Sequence, residues 1–93
     1  MYEITEEKLR RYFDVTEKAL DIAKKSKNRT NLVKEREDMI DMIQRYVSDA
    51  RHFHKKGDLV NAFAALNYAH GWLDAGARLG IFDVHDSMYF TAD

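Results

Sequence analysis

Ninety-three residues suffice for one domain and are too few for two. With 45% of them apolar and 33% charged, the composition excludes an intrinsically disordered chain, and 15 basic against 16 acidic residues argue against one built to grip nucleic acid or an anionic membrane. Cysteine is absent, which rules out disulfides and thiolate metal sites.

The opening residues, Met1 to Glu7, are acidic and polar and do not read as a signal peptide. A first helix is expected from Thr5 to about Ser26. Thr5 supplies a side-chain cap, and Glu6 and Glu7 suit the positive end of the helix dipole. Leu9, Phe13, Thr16, Leu20 and Ala23 recur at four- and three-residue steps and fall on one face, with charged residues opposite.

The polar break from Lys24 to Asn31 separates it from a second helix, expected over residues 31–56 with Thr30 or Asn31 as cap. Ile40, Ile43, Val47 and Ala50 mark its inward face, flanked by Met39, Met42, Tyr46 and Phe53. Gly57 is the expected left-handed terminator and Asp58 the cap of the next helix. So short a connection forces an antiparallel hairpin.

The third helix, residues 59–79, is rich in alanine and glycine, so neighbours approach it closely and it should be the most buried. Its core side reads Ala62, Leu66, Ala69, Leu73 and Gly76, widened by Ala65, Trp72 and Leu79. Gly80 ends it beside the basic break at residues 24–34. In the remaining tail, Asp83 or Asp86 is placed to cap one further turn carrying Met88, Tyr89 and Phe90. No proline interrupts any of this, and the longest nearly uncharged run, Leu59 to Leu73, is too short to span a bilayer. The reading is an all-α fold: a single domain over residues 1–93, built as a three-helix up-down-up antiparallel bundle with a short C-terminal tail, in the cytoplasm.

The stretch Asn67-Tyr68-Ala69-His70-Gly71-Trp72-Leu73-Asp74-Ala75-Gly76-Ala77-Arg78-Leu79-Gly80-Ile81-Phe82, preceded by Lys56-Gly57-Asp58 and Ala62-Phe63-Ala64, resembles the hallmark of a small archaeal family catalogued as domain of unknown function 357. The resemblance covers roughly residues 46–84 and implies a compact three-helix bundle without implying an activity. A looser similarity, through Gly57-Asp58, Ala62, Leu66 and Ala69, is to a single tetratricopeptide hairpin, which bears on packing geometry more than on peptide binding.

On the second side of helix three, Asn67, His70, Asp74 and Arg78 line up, with Phe63 and Gly71 beside them. These six form the candidate interaction surface, for a protein partner or for self-association. Simpler readings are a solvated face or a polar network pinning the tail. His70 and Asp74, one turn apart, are also the germ of a metal site, but zinc-type coordination needs a third ligand and His52 and His54 point in different directions. The pairs Glu35/Asp38 and Asp14/Glu17 suggest the magnesium carboxylates of helical pyrophosphatases, yet Asp14, Glu17 and Asp38 fall on solvated faces. Arg78 and His85 have a nuclease-like spacing that Gly80 interrupts. Lys24, Lys25, Lys27, Arg29 and Lys34 form a basic cluster able to hold a phosphate or an acidic partner surface, but lysines at the end of helix one more simply complement its dipole, and the arginine-aromatic interleaving that stacks bases is missing. The function read from the sequence is therefore a non-enzymatic protein-interaction or structural module with no catalytic, cofactor or metal residues. The alternative is a small metal-dependent hydrolase or metal-binding protein centred on His70 and Asp74.

Overall fold

The computed structural model describes residues 3–91, which contain three α-helices and no strand: α1 (Glu6–Lys25), α2 (Val33–Lys55) and α3 (Leu59–Leu79). α1 begins where Thr5 stays extended and its hydroxyl oxygen accepts the Lys8 N–H at 3.1 Å. It ends at Ser26, whose N–H and hydroxyl both return to the Ala23 carbonyl, at 3.1 and 2.6 Å. Between these ends Leu9, Phe13, Thr16, Leu20 and Ala23 are buried, as the spacing requires.

α2 starts later than expected, at Val33, with Leu32 in the capping position and no side-chain cap. One of the two candidate caps, Thr30, is consumed by a local turn. Asn28 Oδ1 accepts from the Thr30 N–H and hydroxyl at 2.9 and 2.6 Å, and Thr30 Oγ1 accepts the Leu32 N–H at 3.0 Å. Short polar side chains that bond their own backbone two residues on compete with helix initiation, and here the turn wins.

The other end follows the sequence closely. Gly57 has φ +78°, its N–H bonds the His54 carbonyl at 3.0 Å, and the Asp58 N–H bonds the Phe53 carbonyl at 2.9 Å. This pair of bonds is the Schellman terminator, and a Cβ would be strained at that φ. Asp58 then caps α3 through its own side chain, which accepts the Asn61 N–H at 3.1 Å. One glycine thus reverses the chain and sets α2 and α3 antiparallel. Gly80, with φ +80°, repeats the device at the far end of α3.

α3 is the element the others share: α2 and α1 each pack against it more extensively than against one another. Near the hairpin, Leu9, Phe13, Ala50, Ala62 and Leu66 form one core cluster. A larger cluster at the opposite end joins Ala19, Ile43, Val47, Leu73 and Ala77 to Phe82, Val84 and Phe90 from beyond α3. Phe82, fully buried, lies against the α3 backbone. A Cβ built at Gly76 would sit 2.5 Å from Phe82 Cδ2, and closer still to Cε2.

One residue of α3 expected in the core lies outside it. Leu79, expected to widen the core, is 66% exposed, whereas Trp72 and Ala65, expected beside it, do pack against the core. The left-handed turn at Gly80 swings Ile81 and Phe82 back onto the bundle, where both are buried.

The basic break is fixed to this end by the Arg29 N–H on the Gly80 carbonyl and the Asp83 N–H on the Lys27 carbonyl, both at 2.8 Å. Arg36 completes the joint. Its guanidinium lies 5.3 Å from the Phe82 ring centroid and donates to the carbonyls of Ile81 and Ser26 at 2.6 Å and of Ala23 at 3.1 Å. A planar fork of donors suits the orphan carbonyls that terminate α1.

Candidate functional site

Six residues on the second side of α3 were the sequence candidates, and the structure divides them. His70, Asp74 and Arg78 are engaged with the tail. Asp86 Oδ1 caps a single turn by accepting the Met88 N–H at 3.0 Å, and the Asp86 carbonyl accepts the N–H groups of Tyr89 and Phe90 at 3.1 and 3.0 Å. This turn lays Tyr89 to Thr91 along α3. His70 Nε2 donates to the Tyr89 carbonyl at 2.8 Å, Asp74 Oδ1 accepts the Thr91 N–H at 3.1 Å, and Arg78 donates to the Thr91 carbonyl at 3.0 Å. Val84 and Phe90 are buried beneath, whereas Met88 stays 75% exposed. The polar stripe is therefore a latch for the tail, and it grips main-chain atoms.

The tautomer of His70 follows from its partners. The Tyr89 carbonyl can only accept, so Nε2 carries the hydrogen, and in the neutral ring Nδ1 accepts from the buried Thr16 hydroxyl at 3.2 Å. Asp74 Oδ1 lies 3.7 Å from the same Nε2. Among the described residues no three His, Cys, Asp or Glu side chains are grouped to hold a metal ion.

The other three candidates are not drawn into the latch. Phe63 packs edge-on against Tyr12 of α1 with centroids 4.6 Å apart. Asn67 and Gly71 border a shallow hollow that also touches Tyr12 and Val15. Gly71 is exposed, and a Cβ there would meet nothing within 4 Å.

The remaining motifs do not converge. Glu17 pairs with Arg51, while Asp14, Glu35 and Asp38 are exposed. Arg78 reaches the tail, whereas His85 Nε2 pairs with Asp83 at 3.0 Å. In the basic break Lys25 pairs with Asp21 at 3.1 Å and Arg29 with Asp83 at 3.2 Å, so part of its charge is neutralised locally.

One feature, apart from Gly71, lay outside the sequence candidates. Val60, Ala64, Tyr68, Gly71, Ala75 and Leu79 recur at four- and three-residue steps, and every one of them is exposed. Val60 and Leu79 are each 66% exposed and Tyr68 52%, its ring 4.6 Å from that of Tyr46. The spacing was visible in the sequence as a second apolar face on a helix whose only charged residues are Asp74 and Arg78. A helix apolar on both faces is one that expects neighbours on both.

No described helix is long and apolar enough to cross a membrane. No curated protein and no solved structure matches the chain. A family model described as a protein of unknown function (DUF357) matches residues 11–82. The matched span runs from within α1 through α2 and α3 to the buried Phe82, and the chain belongs to the DUF357 family of proteins of unknown function.

Proposed function

We propose that this protein is a non-enzymatic interaction or structural module that presents the outer face of α3 to another polypeptide. The observation that carries the reading is the exposed, uncharged strip along α3, with Val60, Tyr68 and Leu79 more than half uncovered. Single exposed apolar residues are ordinary, but a contiguous row along one helix marks an interface. The latch supports the same reading, because it commits His70, Asp74 and Arg78 to holding the tail and leaves the strip beside them open. The setting implied by the family resemblance is the cytoplasm of an archaeon.

The test is quantitative capture from native extract, comparing the intact chain with the Gly71→Glu variant. Gly71 has open space around it, so the substitution charges the strip without disturbing the fold. A polypeptide retained stoichiometrically by the intact chain and lost with the variant is expected; identical retention would contradict the reading. Metal analysis of the purified chain adds a check from another direction. Stoichiometric zinc, manganese or magnesium would move the reading to a metal-binding protein or hydrolase centred on His70 and Asp74.

A further inference from the structure

The exposed strip has an internal symmetry that an interface with an unrelated protein would not require. A two-fold axis perpendicular to α3, passing midway between Tyr68 and Gly71, sets Val60 opposite Leu79 of a second copy. The same operation sets Ala64 opposite Ala75 and Tyr68 opposite Gly71. Each large residue at the ends meets a large one, the alanines meet each other, and the tyrosine ring meets the one position that lacks a side chain. At 1.5 Å per residue the strip is about 28 Å long. We propose that α3 pairs antiparallel with α3 of a second copy of this chain, through Val60, Ala64, Tyr68, Gly71, Ala75 and Leu79.

Three observations converge on this occupant. The strip is self-complementary under the operation that closed dimers use, in which one patch meets itself. Gly71 has no role inside the monomer: its Cβ position is open, its φ is not positive, and a mid-helix glycine costs roughly 0.5–1 kcal/mol relative to alanine. Opposite a tyrosine of the second copy, the missing side chain becomes the hole for a knob. Finally, the charges are compatible. Under the same axis Arg78 falls opposite Asn61 and Asp74 opposite Ala65, so no charge on α3 meets its like. The tail is not a competing occupant, because His70, Asp74 and Arg78 hold it on the adjoining flank.

A single helix pair of this length lies at the low end of specific interface sizes, which places the dimer among weak, concentration-dependent ones. The proposal rests on the interaction-module reading, and its test separates the two. Because the chain has no cysteine, Ala64→Cys and Ala75→Cys introduce unique thiols at exposed positions. An equimolar mixture of the two variants should form the 64–75 disulfide-linked dimer on mild oxidation at least about tenfold more efficiently than either variant alone, because only the mixed pair reaches disulfide geometry. Light scattering on the intact chain should show the mass rising toward two copies as concentration approaches roughly 1 mM, with Gly71→Glu shifting that rise at least about tenfold upward while the dilute chain melts no lower than the unsubstituted one. Cross-linking within each single variant as efficient as in the mixture would overturn the antiparallel register. A mass of one chain at every concentration would overturn the second copy. The module reading falls separately, if capture from extract is indifferent to Gly71→Glu.

Discussion

Two glycines five residues apart on α3 should respond oppositely to the same substitution. Gly71→Ala adds a methyl group into open space, so only the backbone effect remains. Alanine restricts the unfolded chain and shields the helix backbone, a gain of roughly 0.5–1 kcal/mol. Gly76→Ala brings the same gain but drives its Cβ to 2.5 Å from Phe82 Cδ2, with Met39 Cε at 3.1 Å on another side. Ordinary contact would need about 1 Å of additional separation. Phe82 has little room to supply it, being fully buried and lying under the Arg36 guanidinium at 5.3 Å. Overpacking of this kind costs about 1–3 kcal/mol or more, which exceeds the helix gain and leaves a net loss of about 1–2 kcal/mol. For a domain this small, 1 kcal/mol corresponds to roughly 4–8 °C in Tm. Thermal unfolding followed by circular dichroism, at dilution that keeps the chain monomeric, should show Gly71→Ala melting a few degrees higher and Gly76→Ala roughly 4–16 °C lower. If both variants shift in the same direction, the packing of Phe82 on the α3 backbone is wrong.

Two further perturbations probe the joints. Phe90→Ala empties a site that is 3% exposed and should destabilise the fold by about 3–5 kcal/mol, as truncation after Asp83 should also do by removing Val84 and Phe90 together; an unchanged denaturant midpoint in either would mean that the tail is not docked. Arg36→Ala removes the guanidinium donors from the carbonyls of Ser26 and Ile81, and one of three donors from that of Ala23, and should cost about 2–4 kcal/mol, with Arg36→Lys recovering less than half because a single ammonium cannot span the fork; full rescue by lysine would refute the clamp.

The parts of the fold legible in the sequence were those written in local chemistry. Thr5, Gly57, Asp58 and Gly80 perform the terminating roles their residue types suggest, and the core faces of α1 and α3 follow the helical period. The start of α2 was not legible, because Thr30 serves two competing purposes and only the surrounding Asn28 turn decides between them. Leu79 was misplaced because the helical period carries it, four residues beyond Ala75, onto the exposed row, while Phe82 from beyond the helix is the ring that covers Gly76. The latch was legible only from one side. The stripe of His70, Asp74 and Arg78 announces itself on α3, whereas its targets are the carbonyls and N–H groups of Tyr89 and Thr91, which every residue type carries. Arg36 was hidden for a similar reason, since it too serves backbone carbonyls far from it in the chain.

The central claim is that the uncovered face of α3 is where this protein meets its partner, and that the partner is a second copy. A nuclear magnetic resonance dilution series tests it most directly, from about 1 mM down to roughly 10 μM, a range that brackets a weak dimer. The account predicts concentration-dependent shifts confined to residues around Val60, Ala64, Tyr68, Gly71, Ala75 and Leu79, with the tail contacts of His70 and Asp74 unmoved. Spectra identical across the series, or shifts centred on the basic end at residues 24–34, would contradict it.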